Sequence, residues 1–186
     1  MFLEAIPLGI WFMLPAYAAN PMAVLFGGGR PMDSGRTLKD GRRLFGDGKT
    51  WRGFAGGTIM GVLIGALQQA GAVLAGEELA LFDATNNFIA VIAIMSLGSM
   101  TGDLLGSFVK RRLGIDRGAK TPLLDIYTFL VVALVLLLVF EPGWTLAHFF
   151  YGERILSLLT VIIVTPILHR GINIIGHRMG KKAVPW

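Results

Sequence analysis

An aspartate within an apolar segment, Asp103, is the residue whose type and position most clearly suggest chemistry. A carboxylate at the centre of a membrane helix costs roughly 2.5–3.5 kcal/mol, so such a residue usually faces a cavity or a partner. Because Asp103, Ser107 and Lys110 share one face of a helix, a simple ion pair between Asp103 and Lys110 is one interpretation. The interpretation that we favour is that Asp103 binds a metal ion or a ligand.

A second aspartate, Asp125, follows Thr121 and Pro122, which suit the N-cap and the first position of a helix. The positive end of the helix dipole is by itself a sufficient reason for an acid there. If the helices that carry Asp103 and Asp125 meet at one membrane face, however, the two carboxylates converge. Mg²⁺ prefers hard carboxylate oxygens together with substrate phosphates, so this pair predicts a site for magnesium and a nucleotide.

A third candidate is the segment Gly46-Asp47-Gly48-Lys49-Thr50, in which a flexible turn displays Lys49 for binding phosphate, with Arg52 close behind. It is not a P-loop, because that motif requires a glycine where this chain has Arg43 and a strand before the loop. The chain has no cysteine, which excludes thiolate chemistry. No zinc-binding pattern joins the histidines, which are His148, His169 and His177.

Helices must position these residues, because the composition is that of a membrane protein. Hydrophobic residues make up 54% of the 186 residues and charged residues only 16%, against about 25% in soluble domains. A span of the hydrocarbon core takes about 20 apolar residues, and five segments qualify. They are residues 2–19, 54–75, 88–109, 122–140 and 155–174. The sequence therefore predicts one all-α integral membrane domain over residues 1–186, a bundle of about five transmembrane helices.

The charges predict how this bundle is oriented. All 17 lysines and arginines except Arg154 fall in alternate loops or in the C-terminal tail, which the positive-inside rule places in the cytoplasm. The N-terminus is then outside and the C-terminus cytoplasmic, with cytoplasmic loops at residues 20–53 and 110–121. On such a chain the net charge of +5 reports topology and not a nucleic-acid partner.

Local patterns predict how the loops and helices pack. The first cytoplasmic loop has more cations than orientation requires, together with many glycines, so we expect it to be folded and not a tether. Asn20-Pro21 is expected to end the first helix in a turn, although a polar contact from Asn20 is the alternative. In the third apolar segment Gly98, Gly102 and Gly106 recur every four residues, which predicts close helix packing.

Four stretches together resemble one family, the archaeal CDP-archaeol synthases, and the resemblance extends over nearly the whole chain. The stretches are Asn20-Pro21, residues 41–53 (GRRLFGDGKTWRG), residues 102–112 (GDLLGSFVKRR) and Pro122-Leu123-Leu124-Asp125. The combination is specific, whereas each piece alone would not be. The second half is also similar to bacterial CDP-diacylglycerol synthases, in which a Gly-Asp-Leu…Ser…Lys-Arg run precedes a Pro…Asp segment.

The resemblance implies which residues form the site. Asp103 and Asp125 would be the metal ligands and, with Lys110, the catalytic residues, while Ser107 and Arg111 would contact phosphate. The other candidates for contact with CTP or the lipid phosphate are Asn20, Asp47, Lys49, Thr50, Arg52 and Arg112. Bacterial enzymes often have a further acid where this chain has Thr128, and they have a Lys-Asp pair and a Pro-Gly-His-Gly-Gly segment that are missing here. A two-metal site is therefore not carried over.

The activity that the resemblance implies is transfer of CMP from CTP to digeranylgeranylglyceryl phosphate, giving CDP-archaeol and pyrophosphate in archaeal ether phospholipid biosynthesis. Mg²⁺ would be the cofactor, and the partners would be CTP, the isoprenoid ether lipid phosphate and the bilayer. The active site would face the cytoplasm from a multi-pass protein of the cell membrane. A phosphate monoester is largely dianionic at pH 7 and needs no general base. This agrees with a sequence in which no motif positions a histidine for that role.

Two other classes of membrane protein are the alternatives. A small transporter would have its site near the bilayer midplane, on broken helices, whereas the second and fourth apolar segments have no ionisable residue in their middles. A scaffold that binds anionic lipids would explain the cations but not Asp47, Asp103 and Asp125. A CDP-alcohol phosphotransferase would require Asp-Gly-x-x-Ala-Arg, which Asp40-Gly41-Arg42-Arg43 does not match.

Overall fold

The fold was analysed in a computed structural model, which describes residues 5–75, 87–182, 184 and 185. Within these ranges the regular structure is helical, with two isolated β-bridges in the first long loop. The helices are α1 (Ala5–Phe12), α2 (Leu14–Phe26), α3 (Trp51–Ala75), α4 (Phe88–Arg112), α5 (Pro122–Phe140), α6 (Pro142–Phe149) and α7 (Ile155–Arg178), with a short 3-10 turn at Gly152–Arg154. The all-α architecture predicted from the sequence is confirmed.

The length and composition of the helices match a membrane bundle. Within the described residues, α3, α4, α5 and the segment Gly152–Arg178 are each long and apolar enough to cross a membrane. Helices α1 and α2 form a fifth span if the pair, which is bent by 47°, is counted as one. This agrees with the expected bundle of about five transmembrane helices.

The expected turn at Asn20-Pro21 is wrong, because α2 continues through both residues to Phe26. Proline in a helix interior removes one backbone hydrogen bond, but packing on α3 compensates. Gly53 and Gly57 of α3 leave no room for a side chain against α2, since a Cβ atom at Gly57 would lie 2.7 Å from the carbonyl oxygen of Ala19. The backbones of the two helices are therefore in contact on both sides of the proline.

Other helix ends also differ from the predicted bounds. Helix α3 begins at Trp51, where Thr50 Oγ1 accepts a hydrogen bond of 3.1 Å from the Gly53 N–H in the manner of an N-cap. Helix α4 continues to Arg112, so the second loop between helices is residues 113–121. The loop between α5 and α7 contains α6, which carries His148.

The predicted close packing along Gly98, Gly102 and Gly106 is present between α4 and α5. A Cβ atom at Gly98 would lie 2.7 Å from Ala133 Cα, and one at Gly102 would lie 2.5 Å from Phe129 Cα. Such distances exclude any side chain without a shift of the helices. The glycines thus hold α4 directly against α5, the two helices that carry Asp103 and Asp125.

We expect Gly102→Ala to destabilise the protein, because its new methyl group would collide with the backbone of α5. Overpacking of this kind costs about 1–3 kcal/mol. Gly71→Ala is the matched control, because it adds the same methyl group to α3, at a position where no atom beyond the adjoining residues and backbone of α3 lies within 4 Å of it. Thermal unfolding in detergent, followed by the fluorescence of the four tryptophans, should show a lower Tm for Gly102→Ala alone. Equal values for the two variants would contradict the inferred contact.

Candidate active site

The predicted site residues meet at one large cavity of about 910 Å³. Its walls come from α2, the start of α3, α4, α5, α7, the two basic loops and the C-terminal tail. The predicted residues that line it are Asn20, Asp47, Lys49, Thr50, Asp103, Lys110 and Asp125. The two aspartates and the phosphate-binding candidates of the first loop, which are far apart in the sequence, therefore share one space.

Two ion pairs line this cavity. Lys49 Nζ lies 2.5 Å from Asp103 Oδ2, and Lys110 Nζ lies 2.6 Å from Asp125 Oδ1. The alternative interpretation of Asp103, an ion pair with Lys110 along one helix, is thus wrong. Each pair instead joins two elements of the fold, the first loop with α4 and α4 with α5. Asp125 also accepts a hydrogen bond of 2.9 Å from the Thr121 N–H at the start of its own helix.

The first loop, residues 27–50, is folded around one buried carboxylate, that of Asp33, whose side chain has no exposed surface. Arg43 donates two hydrogen bonds to it, of 2.5 and 3.1 Å, and the backbone N–H groups of Gly35, Phe45 and Gly46 donate three more. Burial opposes ionisation, but these bonds outweigh it and hold the pKa of Asp33 well below its usual range. Asp33 was not among the predicted site residues, although it determines the shape of the loop.

The loop places Lys49 immediately before α3. The Met32 N–H donates a hydrogen bond of 2.8 Å to the Lys49 carbonyl, and the Lys49 N–H donates one of 3.2 Å to the Gly46 carbonyl. A β-bridge between Pro31 and Thr50 adds to this. Because backbone contacts fix Lys49 on both sides, its ammonium group has a defined position at the cavity. Thr50 also lines the cavity, but its hydroxyl is engaged in capping α3.

Arg112 ties the first loop to the end of α4. It forms an ion pair of 2.7 Å with Asp40, donates hydrogen bonds to the carbonyls of Arg42 and Arg43, and lies 5.3 Å above the ring of Phe108. This predicted substrate contact therefore has a structural position outside the cavity. The hydrogen bond from the backbone of Arg42 and the charge of Arg112 lower the pKa of Asp40.

Three further predicted contacts also lie outside the large cavity. Arg111 lines a smaller pocket of about 300 Å³ between the first and second loops. Ser107 is buried, with 5% of its surface exposed, and Arg52 is exposed beside Gly29. The structure thus separates the predicted residues into a group at the cavity and a group around it.

The cavity also contains residues that the sequence did not indicate. Helix α7 contributes His169 and Asn173, whose side chains lie 3.2 Å apart, and the C-terminal tail contributes Lys181 and Lys182. Arg117 of the second loop completes this set. A single histidine in an apolar helix and a lysine in a basic tail carry no sequence signal for a site, since only the tertiary fold brings them to the aspartates.

The donor atoms at the cavity fit a magnesium ion that is held partly by substrate. Within the described residues no three His, Cys, Asp or Glu side chains are close enough to hold a metal ion by themselves. Mg²⁺ is usually bound by one or two carboxylates together with water and substrate phosphates, which Asp103 and Asp125 could provide. Asn20 Oδ1 is buried, lines the same cavity and has no hydrogen-bond partner among the described residues. It is an acceptor available to a substrate.

Comparison with known proteins gives a consistent result. Residues 2–186 match the family model described as CarS-like, CDP-archaeol synthase. A CDP-archaeol synthase of Archaeoglobus fulgidus is 45% identical over 95% of this chain and 96% of its own length. The one of Methanospirillum hungatei is 48% identical over 94% of this chain and all of its own length. A solved structure of an intramembrane enzyme for archaeal membrane lipids biosynthesis is 37% identical with a TM-score of 0.61, over 88% of this chain and 94% of that one.

We expect Asp33→Asn to open the first loop, because the neutral amide cannot accept all the hydrogen bonds that the carboxylate accepts. Trypsin should then cut at the cations of this loop at least about tenfold faster than in the wild type, since local opening governs cleavage. Mass spectrometry of the fragments would locate the cuts. Asp116→Asn, at an exposed acid of the second loop, should be cut like the wild type. Equal resistance of both variants would contradict the role of Asp33.

The resistance of the wild-type loop to trypsin should not depend on pH near neutrality. The pKa of Asp33 is lower in the folded loop than in an unfolded chain. Its stabilising effect is therefore complete above the ordinary aspartate pKa of about 4 and is lost only as the pH falls below it. Rates of cleavage in the loop, normalised to a peptide substrate, should agree between about pH 6 and pH 9.

Proposed function

The chain belongs to the family of CDP-archaeol synthases, and we propose that it transfers CMP from CTP to digeranylgeranylglyceryl phosphate, releasing pyrophosphate and forming CDP-archaeol. The observation that carries this proposal is the position of Asp103 and Asp125. Each is paired with a lysine, and both line one cavity where the two basic loops meet. Carboxylates and ammonium groups in one cavity are the partners that a nucleoside triphosphate and its counter-ion need.

The residues of the chain would bind and align the two phosphate-bearing substrates. Lys49 and Lys110 would exchange their carboxylate partners for phosphate oxygens of CTP, and Asp103 and Asp125 would be released to hold Mg²⁺. When bound, the ion would neutralise part of the negative charge on the phosphate that is transferred. The lipid phosphate would attack the α-phosphorus of CTP, the bond to the β-phosphate oxygen would break, and pyrophosphate would leave. Because the attacking monoester is largely dianionic at pH 7, no residue needs to remove a proton.

The lining of the cavity suits a substrate that has both a charged phosphate group and apolar chains. Apolar side chains of α5 and α7, among them Leu124, Phe129 and Leu168, line it together with the charged residues. The lipid phosphate would reach the lysines from the membrane surface, while its isoprenoid chains stay among apolar side chains. The positive-inside rule supports an active site that faces the cytoplasm, where CTP is found.

The transporter and the lipid scaffold are not favoured. Apart from Asp103, the aspartates, lysines and arginines of the cavity lie in the loops, in the tail or in the first or last turn of a helix, whereas transport sites are usually near the midplane. A scaffold for anionic lipids would give no reason for two carboxylates to line the cavity.

We expect Asp103→Asn and Asp125→Asn each to lower turnover by at least about 10²-fold, as when a charge-stabilising group is removed, while the protein still folds. Glu153→Gln, at an exposed acid that does not line the cavity, is the matched control and should keep wild-type activity. The assay measures transfer of α-phosphate label from CTP into the organic phase, beside Tm for each variant. Near wild-type turnover in a folded aspartate variant would remove that residue from the proposed metal site.

Turnover should also require Mg²⁺ and the ether lipid phosphate. EDTA should abolish transfer of label, and an excess of Mg²⁺ should restore it, because the proposed carboxylates bind the ion only together with nucleotide. Phosphatidic acid, offered separately, tests whether the phosphate head group alone suffices. Full activity in EDTA would contradict the magnesium proposal, and no transfer to either lipid by folded protein would contradict the proposed function.

A further inference from the structure

We propose that Lys182, in the C-terminal tail, is a substrate-binding residue of this cavity and contacts a phosphate group of CTP or of the lipid phosphate. The inference rests on the proposed function, which assigns both of these substrates to the cavity. Lys182 lies about 80 residues after Asp103 in the sequence, yet its side chain lines the same cavity.

The end of α7 is built to reverse the chain. The Gly180 N–H donates a hydrogen bond of 2.9 Å to the His177 carbonyl, and the Lys181 N–H donates one of 2.9 Å to the Gly176 carbonyl. These two bonds form a Schellman motif, in which the residue after the helix has a left-handed conformation. Gly180 has φ of +68°, a value that favours glycine. The tail therefore turns back towards the cavity at one defined residue.

The turn aims the side chain of Lys182 along α7. The Lys182 N–H donates a hydrogen bond of 3.2 Å to the Gly176 carbonyl, and its own carbonyl lies 3.0 Å from His177 Nδ1. Its aliphatic carbons pass over Gly176, where a Cβ atom would be only 3.6 Å away. Its ammonium group then donates a hydrogen bond to Asn173 Oδ1. Backbone and side chain are thus both fixed, which lowers the entropy that binding a ligand would cost.

The partner of Lys182 distinguishes it from Lys49 and Lys110, and its partial burial distinguishes it from Lys181, which also lines the cavity but is exposed. Lys49 and Lys110 each contact a carboxylate. Lys182 contacts a neutral amide, and no carboxylate of the residues that the structure describes lies within ion-pair distance of it. Burial lowers the pKa of Lys182, and the more distant charge of Asp103 opposes this shift. A partly buried ammonium group without a counter-ion is costly, and a phosphate oxygen would supply the missing charge.

The alternative is that the tail only stabilises the end of α7 and that Lys182 binds no substrate. Because the chain has no cysteine, a thiol introduced at position 182 can be modified selectively to distinguish the two. K182C introduces a single thiol, which 2-bromoethylamine converts to an amine-bearing side chain of nearly the length of lysine and iodoacetamide converts to a neutral one. R178C, at an exposed cation that does not line the cavity, is the matched control.

We expect K182C to lose at least about tenfold in kcat/KM, consistent with one charge-assisted hydrogen bond to phosphate. The amine should restore most of this loss and the neutral adduct should not, while R178C should be active before and after either reagent. K182M keeps the length of the side chain and should show the same loss at an unchanged Tm. Equal rescue by both adducts, or full activity of folded K182M, would overturn the proposal.

Protection of the K182C thiol from alkylation shows which of the two substrates contacts this position, and the measurement does not depend on turnover. If Lys182 contacts CTP, then CTP with Mg²⁺ should slow alkylation of K182C severalfold in the absence of lipid. If it contacts the lipid phosphate, that lipid alone should do so. If neither substrate alone nor the two together slowed alkylation of K182C, the proposal would be overturned. A wild-type protein that transfers no label would instead count against the proposed function, and the two failures are thereby distinguished.

Discussion

The structure depends on one constraint, which is that a carboxylate beside the hydrocarbon of a membrane must have a partner. Asp103 and Asp125 meet this requirement with lysines from outside their own helical turns, at 2.5 and 2.6 Å. The first of these pairs requires the loop at residues 27–50 to be folded, and Asp33 provides the centre of that fold by accepting hydrogen bonds from Gly35 and, across the loop, from Arg43, Phe45 and Gly46. A loop that the hydrophobic effect cannot organise is thus organised by ionic hydrogen bonds.

The second requirement is that the helices approach closely enough for these pairs to form. Glycines at four-residue spacing allow α3 to contact the backbone of α2, and α4 to contact that of α5. In a membrane such packing stabilises helix pairs where the hydrophobic effect does not. The same stripe that joins α4 to α5 also sets the separation of the helix faces that carry Asp103 and Asp125. The packing glycine Gly102 and the proposed metal ligand Asp103 are therefore adjacent residues of one helix.

The sequence was sufficient for the fold class and the family, and less so for the details of the site. Helix positions follow from local hydropathy, so the predicted segments overlap the observed helices, but the ends differ. Helix α2 continues through Pro21, α3 begins at Trp51 and α4 continues to Arg112. Asp103 was recognisable because an acid is costly in an apolar segment, but its partner Lys49 depends on how a distant loop folds. Lys182 was counted only as a topological cation, because its approach to the cavity depends on the turn at Gly180. The roles of the individual site residues stay predictions.

The paired state of the lysines has a consequence for selectivity. An inorganic phosphate that displaced the carboxylate from Lys49 or Lys110 would leave that carboxylate without its counter-charge. A nucleotide that arrives with its own divalent cation offers a new partner to both members of each pair at once. Under the proposed function, the resting ion pairs would thus make Lys49 and Lys110 poorer partners for small anions than for a nucleotide that carries a divalent cation.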